Sequence, residues 1–340
     1  MKAWQVSGKS GVLEKDIALN PSATLPNSTT LKPDEMLVKV SAAAINPADH
    51  KIAELPLFGR FLLGKGATPG ADFAGRVVKT GSGIAAQDGL APGTAVFGRL
   101  EPPVKLGCLA EYTIAPKNGC AALPEGVSFR DGAAMGTAGL TAYQCIAPYV
   151  KSGEGKKVFI NGGSGGTGVW GIQFAKAMGC HVVTSCSGAN ADLCRSLGAD
   201  EVIDYRTQDI VQTLKKSGSQ FDLIVDNVGT PHELYAQCHG FTTSSANFIQ
   251  VGANVSWSAS YSLLRRMLWP GMLGGGRRPF AMLQVKNKRE DFIEIRRLLA
   301  ERKAKAVIDQ TVDMQDVPKA YQSLKTDRTR GKIVVNVAEI

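Results

Sequence analysis

The sequence predicts an α/β protein in which a six-stranded, doubly wound parallel sheet stands beside a β-rich, partly open barrel. Three observations carry this. From Lys156 onward, short apolar runs alternate with helical-period runs, the pattern of consecutive βα units. One apolar run, Val158-Phe159-Ile160, ends in Gly162-Gly163-Ser164-Gly165-Gly166-Thr167-Gly168, and a helical period follows at Val169, Ile172, Phe174, Ala175 and Met178. Before Pro124 the chain reads instead as short strands separated by Gly/Pro turns, which suits a barrel that need not close.

In order along the chain, Ala3 to Val6 and Met36 to Ala44 read as strands around a loop at Asn20 to Pro33. Ile45 to Lys51 reads as a strand end or turn, because proline after Asn46 keeps that residue extended. Pro69 to Gly75 turns into a strand at Arg76 to Lys79, and Gly93 to Phe97 and Ala110 to Ile114 add further strands. Asp131 to Tyr149 reads as a helix. The alternation then gives strands at 157–161, 181–185, 201–203, 222–226 and 247–251, with helices at 167–178, 190–197, 207–216 and 232–238. Ala281 to Val285 makes the sixth strand, Asp291 to Arg302 a helix, and Lys332 to Val337 a last strand. Trp257 to Arg278 reads as a mobile lid over an apolar pocket, as a weak membrane contact, or as an irregular connection with some core residues; Pro270 and its glycines break any long amphipathic helix, which disfavours the membrane contact.

Composition narrows the function classes. With 340 residues, 44% hydrophobic and 20% charged, the chain reads as globular and cytoplasmic, with two domains as the prior. It has no run of about 18 apolar residues, so no membrane span is expected. Net charge is +9, but the basic residues are scattered, which suits an anionic ligand better than a nucleic-acid face. The seven cysteines form no C-x-x-C pair, and the four histidines show no ligand spacing, so neither a disulfide framework nor a zinc ribbon is expected.

Gly163, Gly165 and Gly168 fall in the G-x-G-x-x-G register between a strand and a helix. In that setting the first glycine makes the tight turn, the second lets backbone amides reach a pyrophosphate, and the third lets helix and strand pack closely. The same chain carries Asn46-Pro47-x-Asp49-x-Lys51, Pro69-Gly-Ala-Asp-Phe-Ala-Gly75 and Gly139-Leu-Thr-Ala-Tyr143. It also carries Gly198 to Tyr205, Asp222 to Gly229, and Gly331-Lys-Ile-Val-Val335. Together, and in this order, these stretches resemble the medium-chain dehydrogenase/reductase superfamily, in its zinc-independent branch of quinone oxidoreductases and enone or enoyl reductases.

The resemblance implies a catalytic GroES-like domain from 1–125 and 287–340 around a Rossmann cofactor domain at 126–286. It implies NADPH as cofactor and a small enone, enoyl or quinone substrate, with the protein a monomer or homodimer. Asn46 is implied to lie beside the nicotinamide, Lys51 to reach cofactor and substrate, and Thr141 and Tyr143 to flank the nicotinamide pocket. A turn asparagine, a solvated lysine and a buried tyrosine are the alternatives at these positions. Ser164, Gly166, Thr167, Asn190, Tyr205, Asn227 and Lys332 complete the implied cofactor set. Zinc-dependent relatives carry a cysteine at the position of Asn46, a His-Glu pair near Ala71-Asp72 and a four-cysteine lobe, all absent here; a metal-free reaction is implied.

For the choice of nicotinamide, the strand after the glycine loop ends in Ser185-Cys186-Ser187-Gly188-Ala189-Asn190, without the carboxylate that binds a ribose 2′-hydroxyl. The hydroxyls of Ser185 and Ser187 tolerate a 2′-phosphate, and Arg206 adds a nearby cation. Two further readings remain. One is an enoyl reductase acting on a chain tethered to an acidic carrier protein, which the basic surface would suit; the other is a cofactor-binding sensor or partner protein without chemistry.

Overall fold

A computed structural model describes residues 1–55, 64–150, 155–251 and 276–340. The chain divides into two compact units, Met1–Leu140 with Lys286–Ile340, and Thr141–Val285. The expectation of a lid or connection at Trp257 to Arg278 falls largely on residues 252–275, outside those described.

In the first unit, strands β1 (Ala3–Val6) and β2 (Ile17–Asn20) pair antiparallel, with the short helix α1 (Leu13–Asp16) between them. The remaining strands are β3 (Glu35–Ile45), β4 (Asp72–Thr80), β5 (Ala95–Arg99), β6 (Tyr112–Pro116), β7 (Cys120–Ala122), and, from the C-terminal part, β14 (Ile308–Asp313) and β15 (Lys332–Asn336). They form a sheet in the order β14-β15-β3-β4-β5-β7, with β6 on β3. The long strand β3 does double duty: Glu35–Lys39 pair with β6 and Ala42–Ile45 pair with β15. Register shifts against β4 between Leu37 and Val38, and between Val40 and Ala42, accompany this change of partner; such bulges bend a strand and sharpen its twist.

The core on this sheet gathers Met36, Val38, Val40, Phe73, Val77, Val96, Ile333 and Val335 with Tyr321 and Leu324. Burying each large apolar side chain contributes about 1.5–3 kcal/mol. Two helices come from the C-terminal part. The expected one, α8 (Arg289–Ala300), turns Phe292, Ile295, Leu298 and Leu299 inward. The other, α9 (Val317–Leu324), carries Tyr321 and Leu324, and the sequence did not announce it, nor β2, β7 and β14. The segment expected as a strand end or turn, Ile45 to Lys51, is half right. Asn46 is extended, at φ −131° and ψ 152°, but helix α2 (Pro47–Ala53) starts immediately after it. Proline is well suited to that first helical position, and Asp49 accepts the Asn46 N–H at 2.8 Å.

Helix α3 (Phe129–Val150) is longer at both ends than expected, and it runs through the division at Leu140/Thr141; the boundary expected from sequence, 125/126, precedes this helix. In the second unit, β8 (Lys157–Asn161), β9 (His181–Cys186), β10 (Glu201–Asp204), β11 (Phe221–Asp226), β12 (Thr242–Gln250) and β13 (Phe280–Met282) form a six-stranded sheet, every neighbouring pair parallel. Its order, β10-β9-β8-β11-β12-β13, reverses direction between β8 and β11. Helices α4 (Gly166–Ala177), α5 (Ala191–Ser196), α6 (Ile210–Lys216) and α7 (Glu233–Gln237) connect the strands. Helix α6 starts later than expected because Asp209 caps it, accepting from Gln212 N.

Candidate active site

Three strand ends of the first unit converge by register alone. Asp72 opens β4 opposite Ala44, and Ile333 lies opposite Ile45, so Lys332 and Asp72 both fall beside Asn46 at the end of β3. All three residues are buried, Asp72 at 0% exposure, Lys332 at 3% and Asn46 at 5%. The Asn46 amide nitrogen donates to Asp72 Oδ2 at 2.8 Å, and its oxygen accepts from Lys332 Nζ at 2.5 Å. Lys332 Nζ also donates to the Ile45 carbonyl at 2.9 Å and stands 3.4 Å from Asp72 Oδ2. The other Asp72 oxygen accepts from Thr137 twice, from N at 2.7 Å and from Oγ1 at 2.5 Å. Arg99 Nε donates to Thr137 Oγ1 at 3.2 Å and Arg99 Nη1 to Asn287 Oδ1 at 2.8 Å, closing the network. Gly136 is required for it, since a Cβ there would stand 2.5 Å from Asp72 Cγ.

Asp49, one helical turn past Asn46, accepts the Asn46 N–H through Oδ2 at 2.8 Å. Burial there, joined by the charge of Asp72, pushes it up to about 7 against hydrogen bonding and Lys332. Burial likewise lowers Arg99 and raises Cys108. Lys51 is half-buried further along α2.

In the second unit the glycine loop lies where the sheet order reverses, at the carboxyl ends of β8 and β11, the place where open α/β sheets bind ligands. The tight turn belongs to Gly162, at φ +82°, rather than to Gly163 as the register suggests. Gly163 is needed for a different reason: a Cβ there would meet Thr184 Oγ1 at 2.1 Å. A Cβ on Gly168 would meet the Gly162 carbonyl oxygen at 2.1 Å, so α4 packs onto the loop only through glycine. Gly165 is the opposite case. It caps α4 without a side-chain bond, and a Cβ there would approach nothing closer than Gly162 O at 3.7 Å.

Ser185, expected to face a 2′-phosphate, is 1% exposed and spends its hydroxyl on the loop, donating to Asn161 Oδ1 at 2.6 Å and accepting from Gly162 N at 3.0 Å. It therefore holds the loop in place. Asn161 in turn donates to Asp226 Oδ1 at 2.8 Å and to the Thr230 carbonyl at 2.7 Å, tying β8 to β11. Asn190 Nδ2 donates to Ser164 Oγ at 3.1 Å, which links the glycine loop to the turn after β9. Ser187 sits at that turn, 8% exposed. Next to β11, Asn227 has both side-chain amide atoms buried with no partner among the described residues. Gly166 and Thr167 form the first turn of α4, half-buried. Thr141 is 5% exposed, and Tyr143 packs edge-on against Phe174 at 5.9 Å. Tyr205 is 53% exposed.

Sequence motifs thus locate the loop and Asn46 but not their supports. Lys332, implied as a cofactor residue, is enclosed, and its ammonium donates to the Ile45 carbonyl and to Asn46 Oδ1. Asp72 went unassigned, although an aspartate inside an apolar strand-forming run must find buried partners. Asp204 was also missed: a Cβ on Gly188 would lie 2.5 Å from its Oδ2, so a carboxylate does adjoin the turn after β9, delivered by β10.

Two domain families match this chain, the alcohol dehydrogenase GroES-like domain over residues 32–125 and zinc-binding dehydrogenase over residues 197–335. The trans-enoyl reductase pgmF of Aspergillus terreus is 50% identical, over 100% of this chain and 97% of that protein. A zinc-type alcohol dehydrogenase-like protein of Schizosaccharomyces pombe is 32% identical over 98% and 95%. Among solved structures, the quinone oxidoreductase from Coxiella burnetii superposes with a TM-score of 0.81 at 26% identity, covering 99% of both chains. Zinc appears in two of these names. Among the described residues, however, no three His, Cys, Asp or Glu side chains gather into a set that could hold a metal ion.

Proposed function

The chain belongs to the medium-chain dehydrogenase/reductase superfamily, and we propose that it is an NADPH-dependent, metal-free cytoplasmic reductase of carbon–carbon double bonds conjugated to a carbonyl. The observation that carries the reading is the loop at the sheet's point of reversal. Gly165 puts no side chain over the start of α4, which no side-chain hydrogen bond caps, and backbone N–H groups there suit a pyrophosphate. Asn227 beside it offers a donor and an acceptor with no internal partner, and a buried polar group costs free energy until it is paired. Both fit a dinucleotide. NADPH, when bound, supplies the hydride.

The chain's own residues have separate tasks. Gly163, Ser164, Gly165, Gly166, Thr167 and Gly168 hold the diphosphate, with Ser185 and Asn190 holding that loop. Asn46, locked by Asp72 and Lys332, keeps the nicotinamide face in one orientation, and Thr141 supports it. A conjugated alkene spreads the developing charge onto an enolate oxygen, which hydrogen bonds can meet without a Lewis acid. Lys51 steadies that oxygen or the cofactor, and Tyr143 or a water returns the proton at the α-carbon. NADPH is favoured over NADH because β9 ends without a carboxylate and because Ser187, Tyr205 and Arg206 adjoin its turn; the charge of Asp204 opposes this choice.

The name of the Aspergillus relative favours an enoyl substrate over a quinone, and a tethered one, since the +9 net charge suits an acidic carrier. The test is NADPH oxidation with an enoyl thioester, free and carrier-bound, an enone and a quinone. Deuterated cofactor should place its label at the β-carbon of the saturated product. Allylic alcohol as main product contradicts the scheme. NADPH binding without turnover on any of these points to a sensor instead, and one zinc per chain with activity lost to a chelator removes the metal-free reading.

A further inference from the structure

Arg99 ends β5 and lies opposite Asp72 across the antiparallel pair of β4 and β5. Residues paired in this way put their side chains on one face of the sheet, so Arg99 stands beside Asp72, one strand further from Asn46. Two strand spacings, about 10 Å, separate Arg99 from the end of β3. Arg99 is 4% exposed, and neutral acceptors hold its guanidinium. Nε donates to Thr137 Oγ1 at 3.2 Å and Nη1 to Asn287 Oδ1 at 2.8 Å. Asn287 Nδ2 donates in turn to the Arg99 carbonyl at 3.0 Å, so one amide clamps both ends of the arginine. That amide is itself confined, since a Cβ on Gly119 would stand 2.6 Å from Asn287 Nδ2.

No acid answers this charge at close range. The Asp72 carboxylate is spent on Asn46, Lys332 and Thr137. Among the described residues Arg99 forms no ion pair, and its Nη2 makes no hydrogen bond. A guanidinium does not shed its proton, and a buried charge costs free energy until it is paired. Nη2 is not sealed in, as it does not belong to the enclosed polar atoms that lack a partner. Thr137 beside it is only half-buried. The one uncommitted nitrogen of the guanidinium therefore faces open space next to the network that fixes Asn46.

We propose that Arg99 is a catalytic residue whose Nη2 donates to the carbonyl oxygen of the substrate and meets the negative charge that develops there. This rests on the reading of the reaction given above. A phosphate or carboxylate is gripped best by two nitrogens of the fork together; with Nε and Nη1 taken, a single oxygen is the better match. As the β-carbon gains hydride from NADPH, the alkene π pair shifts to join the α-carbon and the carbonyl carbon. The carbonyl π pair moves onto oxygen, which leaves an enolate and oxidised cofactor. Arg99 keeps all its protons and only donates the hydrogen bond; the α-carbon is protonated as described above. Lys51 is then left to the cofactor. A donor already aimed at such an oxygen is worth about 100-fold or more in rate, and Thr137 and Asn287 do the aiming.

Vibrational spectroscopy reads the contact without turnover. The probe is the N-acetylcysteamine thioester of crotonic acid, isotope-labelled at its carbonyl carbon and added with NADP+. Its carbonyl stretch should fall in frequency on the parent protein, relative to the free thioester, and return toward the free value in Arg99→Met. Single-turnover reduction of the same thioester by NADPH should slow about 100-fold or more in Arg99→Met, with NADPH affinity by fluorescence titration unchanged. Arg99→Lys keeps the charge and should recover part of the rate. If Arg99→Met does not fold, the parent shift and Arg99→Lys decide. No shift in the parent overturns the proposal, and so does a folded Arg99→Met that keeps both shift and rate. Reduction without the shift removes Arg99 and leaves the reductase reading standing. The shift without reduction of any alkene overturns the reductase reading and leaves the contact standing.

Discussion

Lys332 donates to the side-chain oxygen of Asn46 at 2.5 Å, and this bond decides which way the amide faces. An ammonium can only donate, so the amide oxygen must be the end that meets it. The amide nitrogen is thereby left for Asp72, a carboxylate that can only accept, at 2.8 Å. Asparagine amides elsewhere are often ambiguous in orientation; here two charged neighbours of opposite sign remove the choice. A side chain that must hold one face of a planar ring gains from such prior fixing, because no reorganisation is left for the moment of reaction.

The first prediction concerns that charge pair. Lys332→Met removes the cation and leaves Asp72 buried against Asn46 and Thr137 alone. Breaking one side of a buried pair costs about 3–5 kcal/mol, whereas replacing both sides is often close to neutral. Urea unfolding of Lys332→Met should show a loss of that size, and Lys332→Met combined with Asp72→Asn should recover much of it. A single-variant loss under about 1 kcal/mol would mean that the bridge contributes no more than a surface one.

The second prediction separates two glycines of one loop. At Gly168 a Cβ would stand 2.1 Å from the Gly162 carbonyl oxygen, so Gly168→Ala must push α4 off the loop, at about 1–3 kcal/mol or more. At Gly165, φ is −78° and the Cβ position is open, so Gly165→Ala should change stability by no more than about 0.5 kcal/mol. Its cost should appear in NADPH affinity, where the added methyl fills the space into which a pyrophosphate must come. Thermal unfolding and fluorescence titration of both variants check this. Unchanged NADPH affinity in Gly165→Ala would place the diphosphate elsewhere.

How much of the molecule was legible in its sequence depends on the range of the forces. The parallel sheet was readable almost strand by strand, because βα alternation and a glycine loop are local patterns. Helix α2 was partly hidden, since proline after Asn46 signals extension at Asn46 itself and says less about residues 48 to 53. The carboxyl of Asp49, three residues past Asn46 and able to take its N–H, was the missing clue. Helix α9 and strand β14 were not seen, though Val317, Tyr321 and Leu324 have a helical spacing. Lys332, Asp72 and Asn46 stand far apart in sequence, and only the registers of β15 and β4 on β3 bring them together. No linear motif states that Lys332 is walled in, or that β10 sets Asp204 beside a turn belonging to β9.

The third prediction uses that placement of Asp204 to relocate a test of cofactor choice. From sequence, Ser185→Asp is the natural way to repel a 2′-phosphate. In the structure Ser185 bonds both Asn161 and Gly162 N, so an aspartate there would break the glycine loop and abolish binding of either cofactor. Ser187→Asp is the informative variant, as its residue lies on the turn itself and its side chain caps nothing. It should lower NADPH affinity about ten-fold or more relative to NADH, while Asp204→Asn should raise NADPH affinity by removing the opposing charge. Titration of both cofactors with each variant decides; tighter NADH binding in the parent protein would end the NADPH reading.

The fourth prediction concerns stability and pH at Asp49. Its folded value, about 7, lies above the ordinary 3.8, so the folded state holds a proton that the unfolded chain gives up more readily. Folding therefore bears no ionisation cost at Asp49 below about pH 4, and the cost grows as the pH rises toward about 7. At about 1.36 kcal/mol per unit, the whole shift is on the order of 4 kcal/mol, an upper limit because water entering the cluster reduces it. Asp49→Asn keeps an oxygen for the Asn46 N–H but cannot ionise. The variant should therefore match the parent near about pH 4, on the order of the unfolded value, and become the more stable of the two as pH rises, by up to a few kcal/mol on the alkaline side. The opposite slope, with the variant losing ground as pH rises, would mean that Asp49 is held as a carboxylate by Lys332 after all. Urea denaturation of both proteins across this range, read as unfolding free energy against pH, distinguishes the two slopes.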